Sequence, residues 1–129
     1  MILKFRQPIF LNGKFREWHY WGFIKEGLFV GPELGKMGKY HEGAEKSQIF
    51  TGFNDKNGKE MFDGDIVRCK GKIFNKYVNL QIVMFSVDYP DCIMLISDDN
   101  HCPLDDVIED LIVIGNVFEN PELIKEMEK

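Results

Sequence analysis

The chain has 129 residues, of which 44% are hydrophobic and 29% charged, a mixture typical of an ordinary globular protein and not of a disordered chain. Its formal net charge is −5, unevenly divided: residues 1–62 hold ten Lys or Arg against seven Asp or Glu, and residues 63–129 hold six against fourteen. The acidic balance disfavours a strongly basic nucleic-acid-binding protein, and the length predicts one domain over residues 1–129.

The N-terminal part of the chain predicts an aromatic β-hairpin. Residues 2–10 alternate as a first strand, Asn12-Gly13 favours a hairpin turn, and Lys14–Trp21 is the return strand. A short third strand is predicted at Leu28–Val30. Because the return strand carries aromatic side chains on both faces, we expect one face to lie on the core and the other on a partner or a loop. The other interpretation, that all of these rings fill the core or cover loops, is the ordinary use of aromatic side chains in small barrels.

Residues 31–47 are predicted to form a glycine-rich loop. The stretch contains four glycines and three lysines and has no apolar period. Its 17 residues exceed the usual loop length of a compact domain, so we interpret it as either a mobile connection or a binding loop. The glycine spacing fits neither GxxxxGK[ST] nor GxGxxG, which disfavours a phosphate-binding loop.

The middle of the chain predicts short, sharply redirected strands. Gln48–Thr51 is a strand candidate, Asn57-Gly58 favours a type I′ hairpin because both residues tolerate positive φ, and Glu60–Phe62 is the return arm. Asp63-Gly64-Asp65 is a second tight turn before a strand at Ile66–Lys70. Two tight turns this close together are typical of small β-barrels.

Three more strands are predicted in the C-terminal half. Tyr77–Val87 alternates as the longest strand, and Cys92–Ile96 is an apolar run typical of a strand buried on both faces. The segment Ser97–Cys102 is interpreted as a polar turn. Leu111–Phe118 is a closing strand in which Gly115 indicates a bulge or a close backbone approach.

The last ten residues, 120–129, predict a short helix. Asn120 has the residue type of an N-cap, and Pro121 suits the first helical position. A helix of ~9 residues is not stable alone, so we expect it to dock on the rest of the fold.

One string carries a family resemblance: TGFNDKNGKEMFDGDIV, from Thr51 to Val67, resembles the central signature of the YopX-like family of phage and prophage proteins. Lys4-Phe5-Arg6 resembles the opening strand of that family, although Gln7-Pro8 stands where Ala-Trp is usual. Val113–Leu123 resembles the closing segment. The resemblance implies a small β-barrel-like domain of phage origin and no established activity. Since turn geometry explains the Gly, Asn and Asp residues of the signature, we interpret it as structural.

The fold class predicted from these features is mainly β: a small, partly open β-barrel, SH3-like or of a related complex topology, with a short C-terminal helix. Catalytic and metal sites have little support. The three histidines, His19, His41 and His101, have no ligand spacing with each other or with the cysteines, and no serine lies in a nucleophile motif. We therefore expect no catalytic residue, no metal and no cofactor.

The cysteines and the N-terminus predict the compartment. Cys69, Cys92 and Cys102 are odd in number and lack CxxC spacing, which indicates free thiols in a reducing environment. Lys4 and Arg6 lie where a signal peptide needs an apolar run, and no stretch has the length and apolar character of a membrane span. We expect a cytoplasmic protein of a bacterial host cell that does not bind membranes.

Function is predicted from the aromatic hairpin and the acidic block at Asp88–Asp110, which holds eight Asp or Glu and no Lys or Arg. Such a block suits a basic protein surface or the basic half of another copy; simple solubility is the alternative. We predict a non-enzymatic interaction module that self-associates or binds a protein partner. The candidate surface comprises Trp18, Tyr20, Trp21, Asp98, Asp99, Asp105 and Asp106.

Nucleic-acid binding is the alternative function. The cations Lys4, Arg6, Lys14 and Arg16, together with the aromatic side chains of residues 15–23, would form a stacking platform for single strands. The overall acidic balance makes this the less favoured hypothesis.

Overall fold

A computed structural model describes residues 3–25, 28–33, 46–69, 76–84, 92–97 and 100–127. These residues form ten β-strands, one α-helix and two 3₁₀ turns, at Leu104–Asp106 and Ile108–Asp110. The elements are β1 (Lys4–Leu11), β2 (Lys14–Lys25), β3 (Leu28–Val30), β4 (Gln48–Asn54), β5 (Glu60–Phe62), β6 (Asp65–Cys69), β7 (Val78–Val83), β8 (Met94–Ile96), β9 (His101–Pro103), β10 (Ile112–Asn116) and α1 (Pro121–Met127). The fold is mainly β with a short C-terminal helix, as predicted.

The strands form two antiparallel sheets, in the orders β3-β2-β1-β4-β5 and β10-β6-β7-β8-β9. Neither order closes on itself in the described part of the chain, and the SH3-like or related barrel stays a prediction. The chain divides into two compact units, Met1–Phe50 and Thr51–Lys129, and β4 begins in the first unit and ends in the second. One domain over residues 1–129 stays a prediction, because this division does not test it. Among the residues described, no helix has the length and apolar character to cross a membrane.

The first unit is built on the β1–β2 hairpin. Asn12 and Gly13 have φ values of 53° and 78°, and Leu11 is paired with Lys14, so the two-residue turn has positive φ at both positions, as type I′ requires. Strand β2 continues to Lys25, four residues beyond its predicted end. Pro8 is tolerated in β1 because β4 pairs with that strand only at Phe5 and Arg6, leaving Pro8 at a local edge.

The second unit has an apolar core supplied mainly by β6, β7 and β8. On the face predicted from the alternation, Leu80 and Ile82 of β7 and Met84 just after it are buried, and Val78 is half-buried. Met94 and Leu95 are both buried, so β8 is covered on both faces, also as predicted. The predicted extension of β7 beyond Met84 lies outside the described residues.

Strand β9 was not predicted, because its residues, His101–Pro103, fell partly within the segment interpreted as a polar turn. It pairs with β8 and is the outermost strand of the second sheet. Pro103 is compatible with this position because an edge strand has backbone groups on one side that need no partner strand.

The prediction of a type I′ turn at Asn57-Gly58 was wrong. Gly58 has φ of 84°, but Asn12 is the only non-glycine residue with positive φ in the described ranges, so Asn57 does not adopt it. The amide of Gly58 donates to the carbonyl of Asp55 (3.0 Å), and the amide of Asp55 donates to the carbonyl of Lys59 (2.7 Å). The turn is therefore one residue longer than predicted, with glycine alone in the left-handed region.

Gly115 lies where the closing strand bulges and where the C-terminal helix approaches. The β10–β6 register shifts between Val113 and Gly115. A Cβ on Gly115 would lie 2.6 Å from Oδ1 of Asn120 and 2.7 Å from Cδ1 of Leu123. The predicted bulge at Gly115 is confirmed, and the close contacts of this glycine are with the side chains of Asn120 and Leu123. Helix α1 begins at Pro121, also as predicted.

Candidate interaction surface

Trp18, the first predicted surface residue, is half-buried between side chains of its own unit. The guanidinium of Arg6 lies 4.2 Å from the centre of its ring, and the Phe15 ring lies 4.9 Å away on the same strand. Arg6 is itself buried, and its Nε donates to Oε1 of Gln48 (2.9 Å). This cation–π contact fixes Trp18 within the sheet.

Tyr20, the second predicted residue, is 41% exposed. It is paired with Arg6 across the hairpin, and Nζ of Lys4 lies 5.8 Å from its ring and 5.7 Å from the ring of Phe50. Of the three predicted aromatic residues, Tyr20 is the one that presents a large part of its side chain to solvent.

Trp21, the third predicted residue, is half-buried by a stacked contact with Phe5. The ring centres lie 4.3 Å apart at an interplanar angle of 17°. Its indole Nε1 donates to Oγ of Ser47 (3.1 Å), where the predicted glycine-rich loop ends. Trp21 therefore anchors the C-terminal end of that loop.

The N-terminal end of the same loop is bound to the hairpin by two polar side chains. The amide of Glu33 donates to Oε1 of Gln7 (2.8 Å), a fully buried residue. Nε2 of His19 donates to the carbonyl of Gly31 (2.8 Å), and its Nδ1 lies 3.7 Å from Oε1 of Glu33. The loop is thus fastened at both ends, and its residues 34–45 lie outside the described part of the chain.

The predicted acidic residues belong to the second unit. Asp105 and Asp106 are exposed in the first 3₁₀ turn, while Leu104 and Val107 beside them are buried. The buried pair holds the turn against the core, so both carboxylates face solvent. The other two predicted residues, Asp98 and Asp99, lie outside the described residues.

Sequence reasoning missed the most exposed apolar cluster of the first unit, at the outer edge of its sheet. The rings of Phe23 and Phe29, opposite each other on β2 and β3, lie 5.3 Å apart. The amide of Phe23 donates to the carbonyl of Leu3 (2.8 Å), which places Leu3 beside them. We call this cluster the edge patch; its members and exposed fractions are Leu3 (47%), Phe23 (49%), Leu28 (39%) and Phe29 (59%).

One signal in the sequence does indicate the edge patch. The segment after Trp21 keeps aromatic and β-branched side chains through Phe23 and Ile24, which favours continuation of the strand. A return strand carried to Lys25 places Phe23 opposite the short third strand. Ending it at Trp21 left Phe23 in the connection between strands.

The residues of the predicted signature, in contrast to the edge patch, form hydrogen bonds that hold turns and strands together. Oδ2 of Asp65 accepts from the amide of Phe62 (2.8 Å), and its Oδ1 accepts from Nδ2 of Asn116 (3.2 Å). The same Nδ2 donates to the carbonyl of Gly64 (3.3 Å), so the closing strand is tied to the second tight turn. These side chains are buried, which agrees with the structural interpretation of the signature.

The signature lies within a stretch of the chain that matches a known family. The family model described as YopX protein matches residues 34–125 of the chain. The chain belongs to the YopX family. The match includes Thr51–Val67 and Val113–Leu123, whose side chains and backbone are joined in the second unit. No curated protein matches the chain.

The edge patch lies before the residues that match the YopX model, since its last member is Phe29 and the match begins at residue 34. The family match therefore carries no information on this surface. In the ranges that the structure describes, no group of three or more His, Cys, Asp or Glu is placed to hold a metal ion.

The cysteines are free, as predicted, with Cys69 and Cys102 buried and Cys92 exposed. The pKa of Cys69 is raised to about 11, mainly by burial and in smaller part by the nearby Asp110 and Cys102. Burial, followed by the charge of Asp106, also raises the pKa of Cys102. Because the thiolate is the reactive form, the two buried thiols are inert at neutral pH.

Proposed function

We propose that this member of the YopX family is a non-enzymatic interaction module that self-associates or binds a protein partner through the edge patch. The observation that carries the proposal is the exposure of Leu3, Phe23 and Phe29 in one row across neighbouring strands, with Leu28 exposed beside Phe29 on the edge strand β3. Edge strands in monomeric proteins are usually protected by charge, proline or a covering segment, and adjoining exposed apolar side chains are typical of binding sites. A phage or prophage origin, a barrel-like closure and a cytoplasmic location form part of the proposal.

Charge supports a protein partner as well. Among the described residues of the first unit, six cations stand against two carboxylates, Glu17 and Glu33; the cations are Lys4, Arg6, Lys14, Arg16, Lys25 and Lys46. In the second unit, Asp105, Asp106 and Glu109 are exposed, and the sequence from Tyr77 to Ile124 contains no Lys or Arg. A partner with a basic surface suits these acidic turns, and complementary charge speeds association.

Nucleic-acid binding is the alternative proposal, and one feature of the hairpin weighs against it. A stacking platform needs ring faces that bases can reach. Arg6 lies over Trp18 and Lys4 over Tyr20, so the cations and rings proposed for nucleic acid already contact each other. A mobility-shift assay with single- and double-stranded DNA and RNA at low salt tests this alternative; a salt-sensitive shift would favour it over the protein partner.

Sedimentation velocity over a range of protein concentrations tests the proposed function. We expect the sedimentation coefficient of the wild-type chain to rise with concentration. The coefficient of Phe29→Lys is expected to stay at the value of the monomer. Leu11→Lys is the matched control, because Leu11 is 53% exposed on the same sheet but lies at the hairpin turn, away from the edge patch. A monomeric wild-type chain at every concentration would exclude self-association, and equal effects of both substitutions would exclude the edge patch.

A further inference from the structure

We propose that two copies of the chain pair through β3, antiparallel and about a two-fold axis at Phe29, so that their β1–β2–β3 sheets join into one. This inference rests on the proposed function and specifies it: the partner is a second copy and the contact is main-chain pairing. Among the described strands, β3 is one of the two edge strands of its sheet, and Phe29 is the middle one of its three residues.

The backbone of Phe29 faces outward, as the hydrogen bonds of the neighbouring strand show. The amide of Phe23 donates to the carbonyl of Leu3 and so points towards β1, away from β3. Phe23 is directly opposite Phe29, and its amide does not point to that residue. Phe23 and Phe29 are therefore a non-hydrogen-bonded pair of the β2–β3 ladder. The N–H and C=O of Phe29 therefore point to the outer edge, where another strand would bind.

A two-fold axis at Phe29 makes the arrangement self-complementary. The two copies of Phe29 become a hydrogen-bonded pair that exchanges two N–H···O=C bonds, and Leu28 of one copy lies opposite Val30 of the other. Directly opposite side chains share a face of an antiparallel sheet. The row Leu3–Phe23–Phe29 of one copy thus continues into Phe29–Phe23–Leu3 of the second, which is the reason for choosing a second copy as the occupant.

The area available predicts a weak, reversible dimer. An aromatic side chain buries roughly 150–250 Å², so Phe23 and Phe29, exposed by 49% and 59%, contribute about 200 Å² per copy. A specific stable interface buries ~800 Å² per partner. The edge patch and β3 supply a minor part of that area, and the dimer is expected only at high protein concentration.

Salt distinguishes this geometry from an electrostatic one. The first unit has an excess of cations, so two first units placed side by side repel each other, and salt screens the repulsion. Pairing through β3 therefore strengthens as salt is added. Association between the basic first unit of one copy and the acidic turns of another would weaken under the same change.

Disulfide trapping tests the register. Hydrogen-bonded opposite residues have Cα atoms about 5.5 Å apart, within the range for a disulfide. In a Cys92→Ser background, Phe29→Cys is expected to form a covalent dimer under mild oxidation at least ~10-fold faster than Leu28→Cys, whose opposite residue is Val30. Equal rates, or no dimer from Phe29→Cys while the wild-type chain still associates, would overturn the register and leave the proposed function standing. A wild-type chain that never associates would exclude both.

A proline substitution separates main-chain pairing from apolar contact. Phe29→Ala removes the ring and keeps the N–H, whereas Phe29→Pro removes both, and proline is tolerated at an edge position whose N–H points to solvent. We expect Phe29→Ala to weaken association and Phe29→Pro to abolish it, with unchanged circular dichroism for both. Equal residual association of the two variants would show that the Phe29 N–H takes no part in pairing and would overturn the inference.

Discussion

Replacing Asp55 with alanine is expected to lower the unfolding free energy of the second unit by about 3–5 kcal/mol. Oδ1 of this buried carboxylate accepts from the amides of Asn57 (2.8 Å) and Lys59 (2.9 Å), and Oδ2 accepts from the amide of Val113 (2.9 Å). Loss of the carboxylate leaves the amide of Val113, a half-buried residue, without its partner, which costs about 1–3 kcal/mol. The hydrogen bonds from the turn amides of Asn57 and Lys59, where water can replace the carboxylate, contribute about 1 kcal/mol each.

Two further substitutions test the origin of that loss. Asp55→Asn keeps one oxygen but turns an NH₂ group towards a backbone donor, and it is expected to cost about 1–3 kcal/mol. Lys56→Ala is the control: its side chain is exposed, and its amide still donates to the carbonyl of Leu111 (2.9 Å). A surface substitution of this kind changes stability by less than ~0.5 kcal/mol.

The measurement is urea unfolding followed by far-ultraviolet circular dichroism. This signal is needed because both tryptophans, Trp18 and Trp21, lie in the first unit and their fluorescence does not report on the second. A change in midpoint at constant slope gives the difference in stability. A loss below ~1 kcal/mol for Asp55→Ala, or one no larger than that of Lys56→Ala, would refute the reasoning.

Three other predictions concern stability and thiol chemistry. Gly115→Ala is expected to cost about 1 kcal/mol in urea unfolding, because its Cβ would lie 2.6 Å from Oδ1 of Asn120, which would have to move and give up its hydrogen bond from the amide of Asn116 (3.2 Å). Gly31→Ala, whose Cβ would meet nothing within 4 Å, is the control, and equal effects would contradict the close approach. Stability is expected to fall as pH rises from about 9 to about 11, because over that window the thiol of Cys69, with its raised pKa, keeps in the folded chain a proton that the unfolded chain loses. Cys69→Ala should flatten this dependence in unfolding titrations at pH 8 and 10, and an unchanged slope would exclude the thiol as its source. A thiol reagent at neutral pH should modify Cys92 alone in the folded chain and all three cysteines in urea, as measured by peptide mass spectrometry. If Cys69 were labelled as fast as Cys92 in the folded chain, burial would not protect it.

The two Asn-Gly dipeptides show how far local sequence determines structure. Asn12-Gly13 forms the predicted two-residue turn, whereas Asn57-Gly58 does not, although the dipeptide is the same. At the second site the carboxylate of Asp55 binds the amides of Asn57 and Lys59 and is itself held by Val113. The last of these contacts spans 58 residues, so no local pattern contains it.

The same limit applies to the aromatic hairpin. Its composition predicts correctly that this region is rich in rings on two faces, but not which rings remain exposed. Trp18 is covered by Arg6 from the neighbouring strand, and Trp21 by Phe5 and Ser47. Phe23 is exposed where its cross-strand neighbour Phe29 lies on the edge strand β3. The outcome depends on pairing between strands, which a single strand pattern does not specify.

Family membership and the proposed interaction surface therefore rest on different parts of this chain. The buried carboxylates of Asp55 and Asp65 hold turns and the closing strand together within residues 34–125, the range that matches the YopX model. Phe23 and Phe29 lie before that range, and the polar network of the signature does not require them. Substitution of Asp55 is thus expected to change stability, and substitution of Phe29 to change association in a chain that is still folded. If both substitutions changed both properties, the surface and the scaffold would be one structure, and the separation drawn from the hydrogen bonds would be wrong.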